Sequence, residues 1–242
     1  SANFFEDPAY GIGYAVSDSP LGPYTKAPEN PILTSLNIPG VSGSGHHSYI
    51  DSPDGSELFT AYHTHTVPEN PSGNRQLALD RVYFTEDGKM GVNGPTLSWL
   101  PVPSNDSIRL LQPEDYRDGS YPELTDGQLA IHTTDYGKTV DLALNEDGEA
   151  VVTLELQEAK TIRGLTLVAG SGHRTNIAGI VLEIGDQAYA LGEFLPEGPA
   201  DHSFAGAIPP TVTDRLTFRF TPERAEQPVH LSEIYLVEQI KK

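Results

Sequence analysis

Residues 47–65 read HSYIDSPDGSELFTAYHTH. Two runs containing β-branched and aromatic residues flank Pro53-Asp54-Gly55, a turn signal between strands. The stretch predicts a β-hairpin. Together with the residues just before it, it holds four of the chain's eight histidines: His46, His47, His63 and His65. Such density suggests a metal or catalytic site. His63 and His65 are two apart on a strand, so they share a face, about 6.6–6.8 Å apart along the chain. That spacing suits zinc if a third ligand arrives. No HExxH pattern or cysteine cluster supports it.

Outward from the hairpin, the first hundred residues continue as short strands and sharp turns. YGIGYAVSDSPLGPY predicts a strand from about Tyr10 to Val16, with Ser19-Pro20 and Gly22-Pro23 turning the chain. RQLALDRVYFTEDGKM predicts another. There Leu77, Leu79 and Arg81 share one face, Ala78, Asp80 and Val82 the other, and Asp87-Gly88 closes the strand. Such strand–turn units suit propeller blades or a sandwich. GPTLSWLPVPSNDS, Gly94 to Ser107, holds three prolines and the only Trp, and reads as a linker or strap.

Beyond it the texture changes. Val152, Leu154 and Leu156 alternate with polar residues, as do Ile180, Leu182 and Ile184, and Leu216, Phe218 and Phe220. VHLSEIYLVEQI follows near the end. This alternation predicts antiparallel sheets with one wet face, about eight strands in all, in a β-sandwich or jelly roll. Only EDYRDG suggests a helical turn. The expected organisation is all-β, with residues 1–103 in one domain and residues 104–242 in a second.

Composition bounds the partners. The formal net charge is −19, and Lys plus Arg against Asp plus Glu stand at 4 to 11 in residues 1–103 and 11 to 23 in residues 104–242. Neither half offers a basic face, which argues against nucleic acid and anionic membranes as partners. A neutral sugar is compatible. With no cysteine there is neither a disulfide nor thiolate chemistry. No apolar run approaches the roughly 20 residues of a membrane helix.

Four pieces, in order, carry a family resemblance: SANFFEDPAYGIGYAVSDSPLGPYTK, GSGHHS, LFTAYHTH and RQLALDRVYFTEDGKM. They resemble the C-terminal part of a glycoside hydrolase family 43 catalytic domain, over about residues 1–96. The resemblance implies the last two blades or so of a five-bladed β-propeller. It also implies an inverting hydrolase of arabinose-, xylose- or galactose-containing glycans. Inversion needs two carboxyl groups about 6.5–9.5 Å apart, one protonated and one activating water. In the family these precede the strand matched by Ser1-Ala2-Asn3. The resemblance therefore places the catalytic carboxylates upstream of Ser1 and predicts that this chain alone is inactive. Glu6 and Asp7 are the nearest substitutes, while the other acidic residues of this half read as turn carboxylates.

The same resemblance nominates site residues. His46 matches a histidine near the propeller axis that contacts a metal, commonly calcium, directly or through water. Ser44 and His47 depart from the family's Pro and Asn in that loop. Arg75 matches an arginine that reaches the substrate pocket, and Phe5 offers a flat apolar wall for a sugar. Arg81 is expected to pair within its own blade. The second half resembles, more loosely, galactose-binding-like sandwiches of the coagulation factor 5/8 C type. Its GSGHRTN stretch offers His173, Arg174 and Asn176 to sugar hydroxyls.

The expected ligand is a plant polysaccharide or oligosaccharide. The expected polypeptide partner is the missing N-terminal propeller segment or another copy of the chain. The expected location is secreted or periplasmic in a bacterium. The rival expectation is a non-catalytic carbohydrate-binding or structural subunit.

Overall fold

The hairpin forms where its turn residues lie. A computed structural model describes residues 1–35, 40–71, 73–129, 139–169, 175–192 and 203–240. Gly55 takes φ 73°, and the Asp54 carboxylate accepts from the Ser52 hydroxyl at 2.7 Å and from the Ser56 amide at 3.1 Å. The turn thus satisfies its own backbone, which a side chain with a short acceptor does well.

The chain divides into two compact units, Ser1–Thr96 and Leu97–Lys242. Most of the proline-rich strap therefore belongs to the second unit. In the first, the strands are β1 (Gly11–Ile12), β2 (Ala15–Val16), β3 (Thr25–Lys26), β4 (Leu33–Thr34), β5 (Gly45–Asp51), β6 (Leu58–His65), β7 (Arg75–Phe84) and β8 (Met90–Val92). The last four make an antiparallel sheet in the order β5-β6-β7-β8, the form of one propeller blade. β1 pairs with β4, and β2 with β3.

The single strand expected from Tyr10 to Val16 is broken at Gly13-Tyr14. There the Asn30 side chain replaces a strand neighbour. Its Oδ1 accepts from the Tyr14 amide at 2.9 Å, and its Nδ2 donates to the Tyr14 carbonyl at 2.6 Å. One side chain thereby satisfies both backbone groups that a ladder would have paired.

The two faces of the blade differ. Tyr62, Ala78 and Val82 pack with Ile12, Ile32, Leu33 and Val92 in a small core. On this face the Tyr62 hydroxyl donates to the buried Asp80 carboxylate at 2.5 Å, and Thr96 donates to its other oxygen at 2.6 Å. Burial pushes the Asp80 carboxyl up, and the Thr96 and Tyr62 donors pull it back. The opposite face carries the rows Gly45–His63–Leu77, Ser48–Ala61–Leu79 and Ile50–Phe59–Arg81. Arg81 pairs with Glu57 at 2.6 Å and lies 5.0 Å over the Phe59 ring, so it does pair within its blade. Ile50, Leu77 and Leu79 on this face are 47%, 79% and 40% exposed.

The second unit is a β-sandwich. Its strands are β9 (Ile108–Leu110), β10 (Val140–Leu142), β11 (Ala150–Val168), β12 (Gly179–Ile184), β13 (Gln187–Gly192), β14 (Ser203–Thr221), β15 (Val229–Leu231) and β16 (Glu233–Gln239). Six form one sheet, ordered β13-β12-β14-β11-β16-β9, and β10 pairs with β15. The predicted alternation holds: Val152, Leu154, Leu156, Ile180, Leu182, Ile184, Leu216, Phe218 and Phe220 all enter one core. β11 and β14 run 19 residues each by bending at register shifts between Glu155 and Lys160 and between Ile162 and Gly164. Two single-turn 3₁₀ segments, Pro113–Asp115 and Pro122–Leu124, are the helical elements among the described residues.

Candidate functional site

The residues that could touch a ligand gather on the histidine face of the first unit's blade. Residues 2–11 form a loop closed by the Ala2 amide donating to the Gly11 carbonyl at 2.9 Å. Asp7 shapes its middle: its Oδ1 accepts from the Ala9 amide at 2.8 Å. Asp7 is therefore a turn carboxylate. The loop sets Phe5 beneath Arg75, whose guanidinium carbon lies 4.8 Å from the ring centroid. Among the described residues Arg75 has no carboxylate within salt-bridge reach, and its donors remain for a ligand.

His46 reaches this face through an irregularity. The register of β5 on β6 shifts between Gly45 and Ser48, and His46 takes φ 53°. Such a bulge re-aims a side chain. The His46 ring stacks on His63 at 5.7 Å, and His63 stacks on Tyr10 at 6.4 Å. Gly45 is needed here: a Cβ on it would sit 2.3 Å from the Tyr10 ring. Burial pulls the His63 imidazole below its ordinary value, with Arg75 and His46 adding to the effect.

His65 lies one row further, opposite Arg75. The residue is 1% exposed, and its ring meets Phe5 edge-on at 6.5 Å. Burial, then Arg75, hold its imidazole below the usual histidine value, against a smaller upward pull from Glu6. Of the nominated residues, Phe5 and Arg75 are thus in direct contact. His46 joins their face through His63.

Residues 2–90 match the profile of the glycosyl hydrolases family 43. The chain is 36% identical over 100 residues to a β-D-galactofuranosidase, xynD, of Aspergillus niger, a stretch of 38% of this chain and 28% of that protein. It is 31% identical over 87 residues to an arabinoxylan arabinofuranohydrolase of Paenibacillus polymyxa, covering 34% of this chain and 13% of that protein. A solved thermostable family-43 glycoside hydrolase is 51% identical at a TM-score of 0.40, covering 43% of this chain and 33% of that one. The chain therefore spans less than a third of the curated relatives it matches.

Within residues 2–90, the sequence offered His65 only as half of a same-face histidine pair and passed over Tyr10 and Ser42. The available signal was the run of glycines around them. Gly43, at φ 69°, leaves room for the His65 ring, because a Cβ there would lie 2.3 Å from its Cε1. No group of three or more His, Cys, Asp or Glu side chains among the described residues is placed to hold a metal ion.

In the second unit, His173 and Arg174 lie outside the described residues. Asn176 does not face a sugar. Its Oδ1 accepts from the Arg224 amide at 2.8 Å, and its Nδ2 faces the Gln227 and Pro228 carbonyls at 3.0 Å each. This corrects the sequence expectation: the side chain is spent on tying a neighbouring loop.

Proposed function

We propose that the chain is the C-terminal part of an inverting glycoside hydrolase acting on arabinose- or xylose-containing plant polysaccharide. In this reading residues 1–96 supply one wall of the sugar site. The observation that carries it is the Phe5–Arg75 pair: an apolar ring under a guanidinium with no carboxylate partner among the described residues, within a segment matching a hydrolase family. A ring face suits the apolar side of a sugar, and guanidinium donors suit its hydroxyls. Both relatives are named for furanose sugars, which favours an arabinofuranosyl substrate.

The acid and the base come, in this proposal, from a segment outside the chain. Asp7 is engaged in a turn and Asp80 is buried among Tyr62 and Thr96; of the two nearest substitutes only Glu6, near His65, remains, and inversion needs a pair. The exposed apolar residues Ile50, Leu77 and Leu79 on one sheet face are where the remainder of the propeller would pack, because an apolar sheet face gains stability when covered. Calcium prefers six to eight oxygen ligands. His46 offers one nitrogen, so the described side chains alone do not fit that ion, and its shell would need water or another segment. The sandwich acts as an accessory domain.

Turnover of aryl α-L-arabinofuranoside and aryl β-D-xyloside tests the reading. The isolated chain is expected to be inactive. Activity is expected once the rest of the propeller is supplied by fusion or co-expression from a family-43 hydrolase. Clear turnover by the chain alone would refute the division of labour, and persistent inactivity of the completed propeller would refute the hydrolase role.

A further inference from the structure

His65 is buried, carries a chemically capable ring, and has no role in the reading above. Its surroundings decide its protonation state. The Ser42 hydroxyl lies 3.0 Å from His65 Nδ1 and donates to the Pro68 carbonyl at 2.9 Å. A hydroxyl has one proton, and a carbonyl can only accept. With that proton spent on Pro68, Ser42 Oγ must accept from Nδ1–H. The Ser42 carbonyl also accepts the His65 amide at 2.9 Å, so the same residue holds both ring and backbone.

The other ring nitrogen, Nε2, is buried with no hydrogen-bond partner among the described residues. Protonating it would create a buried N–H without an acceptor, close to the Arg75 cation. Both arguments favour one neutral tautomer. The ring is also clamped. Gly43 closes one side so tightly that a Cβ would overlap it, and Phe5 stands edge-on at 6.5 Å. Phe5 in turn is the floor beneath Arg75.

We propose that His65 is a positioning residue: locked on Ser42 as the neutral Nδ1–H tautomer, it sets the height of Phe5 and so the place of the Arg75 guanidinium. A neutral ring matters as much as a fixed one. A second cation beside Arg75 would repel it from the Phe5 face. The chain of contacts runs Pro68 carbonyl, Ser42 hydroxyl, His65 ring, Phe5 ring, Arg75. No proton moves along it; each link only fixes the next.

The proposal rests on reading Phe5 and Arg75 as a sugar-facing pair, but its test needs no sugar. Long-range proton–nitrogen spectra of the ¹⁵N-labelled chain at neutral pH report each imidazole's tautomer. His65 is expected to show a protonated Nδ1 and a bare Nε2. The Arg75 Nε–H signal is expected upfield, because it sits over an aromatic ring, and Phe5→Leu calibrates that shift. In Ser42→Ala the single tautomer is expected to be lost and the Arg75 signal to move toward that of a free arginine.

An Nε2–H tautomer in the native chain overturns the proposal. So does an Arg75 signal unmoved by Ser42→Ala but moved by Phe5→Leu. Should Ser42→Ala fail to fold, His65→Phe carries the same test, since it keeps a ring against Phe5 but has no N–H to direct it. Failure to bind arabinose or xylose would count against the sugar reading alone and leave the tautomer result standing.

Discussion

Two residue-scale features of the blade have consequences beyond the site. The Arg81–Glu57 pair is nearly sealed from water, with side chains 8% and 5% exposed. Removing one partner of such a pair leaves a buried charge uncompensated, at a cost of about 3–5 kcal/mol. Arg81→Met is therefore expected to destabilise the first unit by about 3 kcal/mol, read as a lower urea midpoint with an unchanged slope. The second feature is acid sensitivity. His47, His63 and His65 are all held below their ordinary value, with burial as the main cause. Above pH of about 6.5 both folded and unfolded chains leave them neutral. Below it the unfolded chain takes up protons that the folded chain resists, so stability falls as the medium is acidified. The urea midpoint is expected to be lower at pH 5.5 than at pH 7.5. His65→Phe should flatten part of that dependence; an equal slope in the variant would remove His65 as a source.

At the scale of elements, the broken first strand shows how a side chain substitutes for a strand. Tyr10 to Val16 reads as one continuous strand, with Gly13 the local hint of an interruption. The break is set by Asn30, sixteen residues after Tyr14, whose amide pairs with both of its backbone groups. Asn30→Ala would leave those groups without partners in a partly buried place, where each costs about 1–3 kcal/mol. A loss of about 2–3 kcal/mol is expected, with faster amide exchange at Tyr14 as the local signature. The hairpin is the contrary case. Its turn is closed by Ser52, Asp54, Gly55 and Ser56, all within five positions, so local chemistry was enough to predict it. His46 falls between the two. Its histidine was visible, but the bulge that turns it onto His63 depends on the register between two strands, which no short window contains.

Across the whole molecule, each unit has its own core. That of the second is large, continuous and built from its own strands, from Leu111 through Leu236. Residues 97–242 expressed alone are expected to melt in one cooperative transition. Leu156→Ala in that fragment should cost about 3 kcal/mol, as for a fully buried leucine. A gradual, non-cooperative melt would show that this core is insufficient by itself. The first unit has a smaller core and leaves Ile50, Leu77 and Leu79 in water. It should be the first to unfold in calorimetry of the full chain.

The sequence by itself determined the all-β class, the alternating strands of the sandwich, the hairpin and the resemblance of the first segment to a hydrolase family. Each of these depends on residue types at short, regular spacing, which a linear reading contains. Only the tertiary structure decided that Phe5 lies under Arg75, that His65 is sealed behind Gly43, and that Asn176 ties a loop rather than facing a ligand. Those facts join residues some 20 to 70 positions apart. They follow from strand register, bulges and the exact fit of rings against glycine, where a shift of one residue would turn every side chain to the other face.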